Sequence, residues 1–152
     1  MNTFKVLLVG AVCLISAQEV SAHELSATLG TAAGATDYYQ VHCYDDGAGA
    51  TGYLELSVTD ELPVAAPIVS TQVMKIDSIN KTYRLLSSSD LKDGDASSSP
   101  ELAASWGNGF YFVTVNKTKA GAEKYTLSYH CMTAGNEHTG TDITPLQDEQ
   151  PK

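Results

Sequence analysis

Along most of this chain apolar and polar residues alternate with a period of two, and β-branched and aromatic side chains fill the apolar positions. Strands carry that period because successive side chains leave opposite faces of a sheet. The alternation predicts strands at "YYQVHCY" (Tyr38 to Tyr44), "YLELSVT" (Tyr53 to Thr59), "PIVSTQVMKI" (Pro67 to Ile76) and "KTYRLLS" (Lys81 to Ser87). Two more follow at "FYFVTVNKT" (Phe110 to Thr118) and "EKYTLSYHCM" (Glu123 to Met132), and "SATLGTAA" supplies an edge strand. Gly/Asp clusters such as "DDGAGATG" mark turns between them. "KAGA" reads as the loop of a hairpin joining the last two strong strands. The polar stretch before Phe110 reads as a long connection with a short helical turn around Pro100 to Ser105.

Six or seven short strands without an amphipathic helix predict an all-β fold, a small antiparallel β-sandwich of immunoglobulin-like outline. The phase of the alternation sets side-chain direction. Tyr39, Val41 and Cys43 share one face of their strand, with Gln40, His42 and Tyr44 on the other. Near the end of the chain Tyr125, Leu127, Tyr129 and Cys131 oppose Thr126, Ser128, His130 and Met132. Both cysteines travel with the apolar sets, so a Cys43–Cys131 disulfide belongs with the core. Closing a loop of about ninety residues contributes roughly 2–4 kcal/mol.

The first residues, "MNTFKVLLVGAVCLISAQEVSA", have the form of a secretory signal. Lys5 supplies a positive start, Val6 to Ala17 form a short apolar core, and Val20 and Ala22 are the small residues expected before a cut. That core is about twelve residues, short of the roughly twenty that span a bilayer. The expected organisation is therefore a cleaved signal at 1–22, a single β-sandwich domain at 23–141 and a polar flexible tail at 142–152. The expected location is periplasmic or extracellular, with no integral membrane segment. An oxidising compartment also suits the disulfide.

A formal net charge of -9 argues against nucleic acid or an anionic membrane as partner, since both call for basic surface. It favours cations. No "GxSxG", "HExxH", "CxxC" or phosphate-binding glycine loop occurs in the sequence. What remains is metal chemistry. A cut after Ala22 leaves His23 as first residue, where the free amine and Nδ1 of one residue close a chelate ring. With a second imidazole this resembles the histidine brace of copper-dependent polysaccharide monooxygenases and of some periplasmic copper-binding proteins, which are also β-sandwiches. The resemblance implies copper and makes His23, His42, His130 and His138 the candidate ligands.

Strand phase limits the pairing of His42 with His130. If the disulfide joins two facing sheets, they point away from each other; if the strands are neighbours in one sheet, they stand side by side. Acidic turns offer a second candidate, calcium, at Asp45 and Asp46 and at Asp90, Asp93 and Asp95. Trp106 and Tyr111 are candidates for stacking on a ligand. The expected function is an exported, non-catalytic binding or structural domain that takes copper. The alternatives are a copper-dependent oxidoreductase built on His23 and a self-assembling or partner-bound subunit of a surface or extracellular assembly.

Overall fold

A computed structural model describes residues 23–62 and 67–147, and within them the alternating segments form nine strands. These are β1 (Glu24–Leu29), β2 (Thr36–Tyr44), β3 (Thr51–Asp60), β4 (Val69–Asp77), β5 (Thr82–Ser89), β6 (Leu102–Ala104), β7 (Gly109–Lys117), β8 (Glu123–Thr133) and β9 (Gly140–Gln147). They pair antiparallel in two sheets, one ordered β1-β8-β3-β6 and the other β5-β4-β7-β2-β9. The inner faces meet in a β-sandwich core. One sheet contributes Leu54, Leu56, Val58, Tyr125 and Leu127, and the other Val41, Val73, Tyr111, Val113 and Val115, all essentially without solvent exposure. Cys43 of β2 and Cys131 of β8 form a disulfide across the two sheets.

Three local expectations are corrected. "KAGA" does not close a hairpin: β7 lies between β2 and β4, whereas β8 lies between β1 and β3, so the turn carries the chain from one sheet to the other. Gly121, at φ +134° in that turn, donates its N–H to the Thr31 carbonyl at 2.9 Å. The helical turn expected at Pro100 to Ser105 is instead strand β6, whose Leu102 and Ala104 pair with Leu56 and Leu54 and cover the open edge of β3. The tail expected from 142 onward is, through Gln147, the edge strand β9 paired with β2. Pro145 is tolerated there because an edge strand has one side free of ladder bonds. The expected signal at 1–22 and residues 148–152 lie outside the described residues. Among the described residues no helix is long and apolar enough to cross a membrane.

Lys75 of β4 braces the connection before β7. Its ammonium donates to the carbonyls of Trp106, Gly107 and Asn108 at 2.8, 2.8 and 2.6 Å and sits 4.3 Å from the Tyr111 ring centroid. Partial burial, then the charge of Arg84, lowers its pKa. Replacing Lys75 by methionine keeps the aliphatic stem and strips three carbonyls of their donor. The expected loss is about 2–3 kcal/mol in urea denaturation, the scale of hydrogen bonds to a charged group.

Candidate metal centre

The centre forms along one edge of β8, which two different segments share. The start of the described chain pairs with its first half: Leu29 stands opposite Glu123, Glu24 opposite Ser128, and the His23 carbonyl accepts the Tyr129 N–H at 3.0 Å. The chain returning from the end of β8 takes the second half, with His138 opposite Met132 and the Thr139 N–H on the Cys131 carbonyl at 2.9 Å. The two segments meet where His130 lies between them.

Local sequence explains the return. Thr133 Oγ1 accepts the N–H groups of Gly135 and Glu137, each at 3.2 Å, so one hydroxyl gathers the loop. Asn136 takes φ +63°, a conformation asparagine tolerates better than most residues, and its Oδ1 accepts the Tyr53 hydroxyl at 3.1 Å. Thr139 then donates to the Gly49 carbonyl at 2.7 Å. Gly140 follows with its Cα against the Tyr44 ring, leaving no room for a Cβ.

These constraints bring together three of the four histidines. Each of His23, His130 and His138 offers a ring nitrogen, and the three nitrogens lie within 4.8 Å of one another. The ring centroids are 5.9 Å apart for His23 and His130, 4.9 Å for His130 and His138, and 6.4 Å for His23 and His138. His130 is buried and His23 and His138 are half-buried. His130 Nε2 meets the Ser128 hydroxyl at 3.1 Å, while Nδ1 of His130 and Nδ1 of His23 are buried without a hydrogen-bond partner. Buried polar atoms ordinarily have partners, so two bare imidazole nitrogens within a cluster of three histidines call for an electrophile. A metal ion bound by imidazole is the simplest one.

The electrostatics fit. Burial, with the charges of His138 and His23 added, lowers the His130 pKa and favours the neutral ring that a metal binds. Glu55 of β3 stands opposite His130 on the outer face of the sheet. Burial and then Glu101 raise its pKa, while His138 acts in the opposite direction.

His42 is not part of this centre. The disulfide joins facing sheets, so the outward side of β2 points away from the outward side of β8. There His42 stacks on Phe110 and Tyr44, with centroids 4.4 and 5.0 Å away. Four of the five candidate calcium aspartates serve the backbone instead. Asp45 accepts from Gly47 and Gly49, Asp46 from Ala48, and Asp95 from Ser97. Asp90 accepts the N–H groups of Asp60 and Lys92. Asp93 alone joins other ligand groups, those of Asp60 and Glu123.

Tyr111 cannot stack on a ligand. It is fully buried, donates its hydroxyl to the Gly107 carbonyl at 2.5 Å, and stacks on a half-buried Trp106 that itself packs against the core. Sequence reasoning passed over Asp60 and Glu123 although a signal was present. Asp60 continues the inward series Leu54, Leu56, Val58, and Glu123 begins the series Tyr125, Leu127, Tyr129. Compared with family models, curated proteins and solved structures, the chain matches none.

Proposed function

We propose that this protein is an exported, non-catalytic β-sandwich that binds copper through His23, His130 and His138. The observation that carries the reading is the convergence of three imidazoles with two buried, unpartnered Nδ1 atoms. Nitrogen donors suit copper, and copper(II) stands above zinc in the affinity order for such a donor set. Export rests on the form of residues 1–22. A cut after Ala22 would free the amine of His23 beside its own Nδ1 and add a fourth nitrogen to the set. Absence of turnover is supported by Tyr111, which is fully buried beneath Trp106 and unable to serve as part of a substrate platform.

The test begins with the intact mass of the exported protein, which reads the cleavage site. Copper(II) titration followed by paramagnetic resonance is then expected to show nitrogen ligation at about one equivalent, with zinc binding more weakly. Adding one residue before His23 is expected to change the spectrum, because the amine becomes an amide. Binding no tighter than micromolar, or a spectrum without nitrogen coupling, would reject the reading.

A further inference from the structure

At the other end of β8, about 23 Å of strand away from His130, charged residues occupy the inward phase. Asp60 ends β3 and Glu123 begins β8, and both are almost completely buried at 0 % and 1 % exposure. Asp93, in the loop after β5, reaches the same point, and one carboxylate oxygen from each residue lies within 4.8 Å of the others. Asp60 Oδ1 and both oxygens of Glu123 are buried without a hydrogen-bond partner. Among the described residues neither Asp60 nor Glu123 has a basic group at ion-pair distance. The nearby Lys117 spends its ammonium on the Gly30 carbonyl.

Asp60 and Glu123 thus bring bare carboxylate oxygens inside the protein to a point that Asp93 also reaches. We infer that Asp60, Asp93 and Glu123 form a binding site for a hard divalent cation, calcium by its donor set, that ties the 90–96 loop to the end of the sandwich.

The separation of the oxygens supports this assignment. Oxygens bound to one calcium at about 2.3–2.6 Å lie up to about 5 Å from each other across the ion. All donors are oxygen, which selects against copper and zinc, and carboxylates can each give one or two atoms. Without a cation the cluster is costly: burial first, then Asp93 and Glu123, push Asp60 up to about 7. Burial and Asp93 likewise raise Glu123, against the opposing charge of Lys117. The loop is already set in place by backbone bonds. The Gly94 N–H donates to the Asp60 carbonyl at 3.1 Å and Asp90 accepts the Asp60 N–H at 2.8 Å. A cation would therefore close a pre-formed site rather than build one.

The test uses the full exported chain, stripped with chelator and titrated with calcium chloride alone, with magnesium and zinc in parallel. About one equivalent of calcium is expected to bind with Kd on the order of 10⁻⁴–10⁻³ M, as in extracellular modules. Thermal unfolding is expected to move up by several degrees at millimolar calcium. Glu123→Gln removes a buried charge, so it is expected to raise the melting temperature of the stripped protein while abolishing the calcium response. Asp93→Asn, at a half-exposed position, is expected to weaken binding at least about tenfold. His130→Ala is expected to leave the calcium response intact, which separates this site from the histidine centre. No heat and no melting shift in the wild-type protein at about 10 mM calcium, ten times the upper Kd, would overturn the assignment in favour of carboxylates that share protons. A response that survives Glu123→Gln would overturn it too.

Discussion

Replacing His130 by alanine is expected to lower copper affinity more than about a hundredfold while leaving the sandwich folded. The magnitude follows from comparison with outer-shell changes: removing a group that merely orients a ligand costs about 10–100-fold, and a direct ligand carries more. His130 sits between the other two rings, 5.9 Å from His23 and 4.9 Å from His138, so no remaining side chain replaces its nitrogen. The fold tolerates the change because, among the described residues, the ring's hydrogen bond is to Ser128 alone and its Nδ1 is already a buried, unpartnered atom. A stability shift below about 1 kcal/mol is expected for the metal-free protein. His42→Ala is the matched comparison, since that ring stacks on Phe110 on the opposite sheet. Competition titrations on both variants decide the matter. Equal losses for the two, or no loss for His130→Ala, would contradict the proposed ligand set.

The contrast between these two histidines shows how far the sequence reaches. Period-two alternation put His42 and His130 each on the face opposite its neighbouring cysteine, and the structure agrees. Whether those faces coincide depends on which strands are neighbours, and alternation carries no information about neighbours. The same gap explains "KAGA", whose residues report a reversal of direction without reporting that β7 and β8 belong to different sheets. Strand β9 was illegible for another reason. Its residues are mostly exposed and include Pro145, so the apolar alternation that marks the other strands is weak.

The carboxylate site was partly legible and went unread. Asp37, Asp60, Lys117 and Glu123 all fall in the inward phase of their strands. Each lies at or next to a strand end, where a charged residue normally turns to solvent. Here the ends of β3 and β7 meet the starts of β2 and β8, and the chain covers them. Asp37 shows the result, accepting the Tyr125 hydroxyl at 2.6 Å inside the protein. The convergence of His23 with His138 was out of reach, because it depends on two segments dividing one edge of β8.

Reduction of the Cys43–Cys131 disulfide, which closes a span of 88 residues, is expected to cost about 2–4 kcal/mol. The bond links β2 to β8 across the sandwich, with Cα atoms 5.5 Å apart and both cysteines fully buried. Reduced wild-type protein isolates the crosslink, since its sulfur atoms stay in the core. The Cys43→Ala/Cys131→Ala variant loses the packing of both sulfurs as well and is expected to be less stable than the reduced form. Denaturant unfolding of the oxidised, reduced and substituted proteins separates the two contributions. The effect extends to the histidines, because Cys131 anchors the return segment on both sides: its carbonyl accepts the Thr139 N–H, and its N–H donates to Thr141 at 3.0 Å. The proposed copper site is assembled only by folding, so copper is expected to restore part of the lost stability in the alanine variant, by an amount set by its concentration over Kd. Oxidised and reduced proteins that unfold within about 1 kcal/mol of each other would mean that the unfolded chain keeps these strands close without the bond.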